Sequence, residues 1–148
     1  MTIPAFANTH IARFANALYG YQLGSQSEVA VEAEVAKTSL DAVLNSYYTA
    51  TFGMKTVAQV AATLVSHMGL VAGQNGLTAD AVAAASSYIA GQLNAASAAT
   101  RGTTVKNILD LWANIGEDAT LSATYGAASS AWNNQISNAQ TYTATHAA

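Results

Sequence analysis

The chain has 148 residues, five Lys or Arg against eight Asp or Glu, no Cys and a formal charge of -3. Charged residues make up 9% of it, against a globular average of about a quarter, while 51% is hydrophobic and much of that is Ala. With no basic cluster to neutralise phosphates, nucleic-acid binding is excluded; with no Cys, disulfides, thiolate nucleophiles and cysteine-ligated zinc are excluded; and regularly spaced large apolar residues exclude disorder.

Pro4 suits a first helical position, and Phe6, Ile11, Phe14 and Leu18 recur near the helical period before Gly20 and Gly24, which predicts a first helix. Ser25-Gln26-Ser27-Glu28 has capping-box spacing and opens a short second helix carrying Val29, Val31 and Val35. Thr38 or Ser39 caps a third, in which Leu40, Val43, Leu44, Tyr47 and Tyr48 share a face before Gly53. Thr56 begins a fourth with Val57, Val60, Leu64 and Met68 on one stripe, ended by Gly69 and the turn Gly73-Gln74-Asn75-Gly76. Thr78 caps an Ala-rich fifth helix through Val82, Ala85, Ile89 and Leu93. Gly102-Thr103 precedes a sixth with Val105, Ile108, Leu109, Trp112 and Ile115, stopped by Gly116. A seventh spans about Tyr125 to Tyr142 through Ala128, Trp132, Ile136 and Ala139, a thin stripe that leaves its rim exposed. No segment alternates as a strand does. The expectation is one all-α domain over residues 1–148, a compact bundle of about six to seven short to medium helices with a thin, closely spaced core.

The chemistry-bearing residues favour structural roles. His10, His67 and His146 form no metal pair, and His67 shares a helix side with Val60 and Leu64, where a partly buried His bonded to a carbonyl is expected. Glu28, Glu32 and Glu34 suit the start of a helix dipole, Glu34 can pair with Lys37, and Asp118 is as readily a helix cap as a ligand. No Ser lies in a GxSxG elbow and the glycines match no phosphate loop, so catalysis and nucleotide binding are not expected. No metal site is expected either, although a bridging calcium stays open. The apolar run Val57 to Val71 is too short for a span of about 20 residues, and the start of the chain lacks a basic segment followed by an apolar one. A soluble domain without membrane insertion or a cleaved signal peptide is expected.

Several ordered fragments stand out: Gly76-Leu77-Thr78, Tyr88-Ile89-Ala90-Gly91-Gln92-Leu93-Asn94, Arg101-Gly102, Tyr125-Gly126-Ala127-Ala128, Trp132-Asn133-Asn134 and Tyr142-Thr143. In them the chain resembles the N-terminal region of bacterial S-layer and related surface proteins exported by type I secretion, the Caulobacter-type S-layer family. Two departures are visible: Trp132 stands where that family often has Phe, and the glycine-aspartate calcium repeats and a recognisable C-terminal export region are absent. The chain then reads as an excised domain or a short member.

The resemblance implies a secreted, cell-surface, non-enzymatic module that anchors a lattice by binding lipopolysaccharide. A neutral surface rich in Ser, Thr and Asn suits such a ligand, since polysaccharide is held by many weak hydrogen bonds and by stacking on aromatic faces. Tyr19, Tyr21, Tyr47, Tyr48, Tyr88, Trp112, Trp132 and Tyr142 offer such faces. The candidate glycan contacts are Tyr47, Tyr48 and Trp132, of which Tyr47 and Tyr48 point to different sides of one helix, with Arg13, Lys55 and Arg101 for anionic sugars. Arg13, Lys37, Lys55, Arg101 and Lys106 are the cations available. Two alternatives accompany this reading: self-association through an exposed apolar patch on the fifth or seventh helix, and a hydrolase whose site gathers two or more of His67, Asp110, Glu117 and Asp118.

Overall fold

Seven α-helices and two single 3-10 turns account for most of the computed structural model, which describes residues 9–20 and 25–145, with side chains for 9–20 and 30–141. In chain order they are α1 (Thr9–Tyr19), α2 (Ser25–Lys37), α3 (Leu40–Phe52), α4 (Val57–His67), α5 (Ala79–Ala95), α6 (Arg101–Ala113) and α7 (Ser122–Thr145). The 3-10 turns are Ala98–Thr100 and Ile115–Glu117, and no strand occurs among the described residues. The chain is all-α. The readings made on Pro4, Phe6, Tyr21, Gly24 and His146, and on the side chains of Ser25, Glu28, Val29 and Tyr142, lie outside the described residues.

Local chemistry sets most boundaries. Ser39 Oγ accepts from the Ala42 amide at 3.0 Å and so caps α3, while Thr38 donates its hydroxyl to the Glu34 carbonyl at the end of α2. Thr56 and Gln59 form a reciprocal capping box at α4: each accepts from the other's backbone amide. Thr78 caps α5 through the Ala81 amide. Gly20, Gly69, Gly73 and Gly76 all adopt positive φ, and Asn75 joins them at 50°, so the two glycine-rich stops provide the left-handed residues a turn needs.

Three boundaries differ from the sequence reading. Gly102 and Thr103 do not precede the sixth helix but lie inside it, because α6 starts at Arg101 and follows the turn Ala98–Thr100. Gly116 does not stop α6, which ends at Ala113; it sits within the turn Ile115–Glu117. α7 also begins three residues earlier than expected: Asp118 Oδ1 accepts the amides of Thr120 and Leu121, both at 2.8 Å, and organises the turn that leads into it.

One core draws on α1 and α3 through α7, with Phe14, Leu44, Tyr48, Phe52, Leu64, Leu93, Leu109 and Trp132 among its large members. A smaller cluster of Ile11, Val31 and Val43 attaches α2 to α1 and α3. Helix spacing is close where α3 crosses α6: a Cβ added at Gly102 would overlap the Leu44 carbonyl and come within 2.5 Å of the Asn45 nitrogen. The same crossing is bonded, since Asn45 Oδ1 accepts the Thr103 amide at 2.8 Å and Asn45 Nδ2 donates to the Thr103 hydroxyl at 3.1 Å.

Side-chain hydrogen bonds tie the remaining helices. Ser129 on α7 donates to the Trp112 carbonyl at 2.7 Å and Asn133 to that of Ala113 at 2.9 Å, which satisfies two acceptors at the end of α6. The Tyr125 hydroxyl donates to the Ala81 carbonyl at 2.8 Å, joining α7 to α5. His67 Nδ1 lies 2.8 Å from the Ala17 carbonyl, which can only accept, so that nitrogen carries the proton and closes the end of α1. The expected carbonyl-bonded, partly buried His is therefore what the fold contains.

Candidate functional site

α5 buries little of itself, and the reason is compositional. α5 buries only Ile89 and Leu93 among its 17 residues, because most of its other positions carry Ala, Ser or Gly and give a neighbouring helix little to pack on. Two large residues fall one position away from the buried stripes: Tyr88 beside Ile89, and Leu111 beside Trp112. Tyr88 is 49% exposed and Leu111 42%, and together they form a ridge along the α5–α6 seam.

A hollow of about 370 Å³ lies on each side of this ridge. On one side Gln92, Thr104 and Asn107 line a polar groove, with Ala95 and Ala96 at its end. On the other, Met68, Leu70, Ile89, Trp112, Ile115 and Leu121 are among the residues lining an apolar pocket closed by Tyr125. Tyr88, Ile108 and Leu111 belong to both, so one continuous surface runs from hydrocarbon to amide and hydroxyl. No Lys, Arg, Asp or Glu lines either hollow.

The polar groove can bind neutral, hydroxyl-rich molecules. Gln92 and Asn107 each present an amide that donates and accepts, Thr104 adds a hydroxyl, and the exposed Tyr88 ring offers a face for stacking. The Thr104 hydroxyl already donates to the Thr100 carbonyl at 3.0 Å, which leaves its lone pairs as acceptors.

The structure places the six candidates taken from the sequence in different settings, two of them in the core. Tyr48 is 4% exposed and Trp132 1%, so both are core residues; each lies on the buried stripe of its helix, and neither ring has a free side for a sugar. Tyr48 packs edge-on against Phe52 with centroids 5.4 Å apart. Arg13 places Nη1 3.0 Å from Asp110 Oδ1 and is tied down between α1 and α6, where His10 and Lys106 approach the same carboxylate at 3.1 and 3.8 Å. Arg101 Nε donates to the Leu93 carbonyl at 3.1 Å, capping the end of α5. Tyr47 is half-buried on α3, and Lys55 is exposed in the turn before α4.

The burial of Tyr48 and Tyr47 affects their acidity. Burial raises the Tyr48 hydroxyl above its ordinary value, with the Arg101 charge opposing. Burial also raises Tyr47, helped by Tyr19 and Glu34.

Three of the four residues that would raise a hydrolase reading serve the fold. His67 holds the end of α1, Asp110 sits among Arg13, His10 and Lys106, Asp118 organises the turn before α7, and Glu117 is exposed in a 3-10 turn. No two of them share a hydrogen-bond partner among the described residues. Glu34 and Lys37 form the expected surface pair at 3.6 Å. Among the described residues no three His, Asp or Glu gather as a metal site, and no helix is long and apolar enough to cross a membrane.

Sequence reasoning placed Tyr88 among the aromatics and in the fragment from Tyr88 to Asn94, and Trp112 on the apolar stripe of the sixth helix, but missed Gln92, Thr104, Asn107 and Leu111 as a group. A local signal did exist, since Tyr88 and Leu111 are large residues out of phase with the stripes Ile89–Leu93 and Ile108–Trp112. Which two helices would bring them together was not local. Compared with protein-family models, with curated proteins and with solved structures, the chain matches none.

Proposed function

We propose that this is a non-catalytic structural module of a secreted cell-surface protein, anchoring it to the outer membrane by binding the O-polysaccharide of lipopolysaccharide in the α5–α6 polar groove. The observation that carries the reading is the Tyr88 ring, half-exposed at the edge of a groove lined by Gln92, Thr104 and Asn107. Sugars present axial C–H patches to aromatic faces and hydroxyls to amides, and a groove with no formal charge suits a neutral chain of them. Single-site affinity of this kind is weak; a lattice carrying many copies against a repeating polymer raises it by multivalency. The resemblance to S-layer anchoring regions supplies the choice of polymer.

The test is binding of the purified domain to smooth lipopolysaccharide and to rough lipopolysaccharide lacking O-polysaccharide, with calcium and with chelator. Selective binding to the smooth form is expected, with Tyr88→Ala weakening it about tenfold, the equivalent of about 1.4 kcal/mol. Chelator leaves this binding unchanged if the neutral groove acts alone and lowers it if calcium bridges an anionic sugar. Equal binding to both forms, or none, sinks the proposal.

A second reading draws on Leu111 and Val71, both exposed, with the apolar pocket near them: self-association in a surface lattice. A discrete oligomer that Leu111→Asp dissociates, with no binding to the smooth form, favours it.

A further inference from the structure

We infer that the apolar pocket between α5, α6 and the start of α7 is a binding site for a single acyl chain of a neutral-headed amphiphile, such as an acylglycerol or an acylated sugar. This goes beyond the glycan reading, because it uses the other side of the Tyr88–Leu111 ridge.

The pocket's size and lining point to hydrocarbon. A cavity of about 370 Å³ walled by Met68, Leu70, Ile89, Ile115 and Leu121 falls within the usual range for ligand sites and presents almost nothing for water to bond. Two residues of its wall carry a polar atom, and the two atoms differ in state. The Tyr125 hydroxyl is committed to the Ala81 carbonyl, whereas the Trp112 indole N–H is buried with no hydrogen-bond partner among the described residues. A buried donor left unpaired is costly and uncommon in folded proteins, and an ester carbonyl next to an acyl chain is an acceptor of the right kind.

The head group is specified by what adjoins the pocket. Across Tyr88, Ile108 and Leu111 the surface becomes amide and hydroxyl, with no Lys or Arg to meet a carboxylate or phosphate. A hydroxylated, uncharged head fits that groove while the chain fills the pocket.

The experiment titrates the domain with monoacylglycerols of six to fourteen carbons below their aggregation concentrations, following the Trp112 indole N–H resonance. Saturable one-to-one binding is expected, with a downfield shift of that resonance as the N–H gains an acceptor. Affinity should rise about fourfold per added methylene, the equivalent of about 0.8 kcal/mol. The rise should stop near ten to twelve carbons, since the volume holds on the order of a dozen water-sized groups. Dodecanoate at neutral pH should bind at least about tenfold more weakly than the twelve-carbon monoacylglycerol, because its charge has no partner in the groove.

Ala85→Phe fills the pocket from its α5 wall and should abolish binding while the helical circular dichroism is kept; if that variant does not fold, the more exposed Ala84→Phe replaces it. No saturable binding, binding unchanged by the folded filler variant, or a dimer whose interface covers Tyr88 and Leu111 overturns the inference. Polysaccharide freed of its lipid carries no acyl chain, so its binding reports on the polar groove alone and the two readings fail separately.

Discussion

At position 48 a tyrosine occupies a place that an apolar ring fills equally well, packed on Phe52 and 4% exposed. Its hydroxyl is the part that burial makes sensitive to pH. The neutral form is favoured in the fold, so its ionisation is raised above the ordinary 10.0, chiefly by desolvation. Above that value the unfolded chain releases the proton while the folded chain still holds it. Ionisation then stabilises the unfolded state: the contribution to stability is complete below pH 10 and is lost as pH climbs through the raised folded value. Tyr47 shifts in the same direction and acts in the same window. Urea denaturation of the wild type and of Tyr48→Phe at a series of pH values from 8 upward should show a steep alkaline decline in the first and a shallower one in the second. Parallel declines would place the alkaline sensitivity elsewhere.

Elements are held by contacts of two ranges, and this decides what the sequence could disclose. Caps are local: Ser39, Thr56 and Thr78 each bond an amide three residues on, so reading along the chain finds them. Gly102 is the opposite case. Read along the chain, a glycine beside Thr103 looks like a helix boundary, but its neighbour is the backbone of α3, and only the packed structure reveals that a side chain has no room there. Tyr48 and Trp132 carried no local mark of burial beyond their place on a stripe, and the α5–α6 groove depends on which helices pair. Arg13 and Arg101 looked available because their partners, Asp110 and the Leu93 carbonyl, lie 97 and eight residues away in sequence. The contrast at glycine is testable with one substitution made twice. Gly91→Ala on α5 meets nothing within 4 Å and should stabilise by up to about 1 kcal/mol through helix propensity. Gly102→Ala gains the same propensity but forces apart two backbones, one of them locked by the Asn45–Thr103 bonds, and should lose about 2 kcal/mol net. Midpoints of urea unfolding measure both; equal signs would mean that the α3–α6 crossing relaxes freely.

At the scale of the whole molecule, scarcity of charge shapes what the surface can recognise. The chain has five Lys or Arg in all, and the fold uses several of them internally. Arg13 and Lys106 converge with His10 on Asp110, Arg101 holds the end of α5, and Lys37 pairs with Glu34. No charge lines the α5–α6 hollows, so long-range attraction contributes little to binding there, and association depends on shape, stacking and short-range hydrogen bonds. That arrangement suits the proposed role of holding a neutral polymer at a cell surface, where ionic conditions vary and screening would weaken a charge-based grip. The consequence is a flat salt dependence. Affinity for smooth lipopolysaccharide, measured by calorimetry at about 50 mM and about 500 mM sodium chloride, should change by less than about twofold, since the Debye length shrinks severalfold over that range and charged contacts would register it. A loss of tenfold or more would relocate the binding to Lys55 or to the cluster around Asp110, and the α5–α6 groove would no longer account for it.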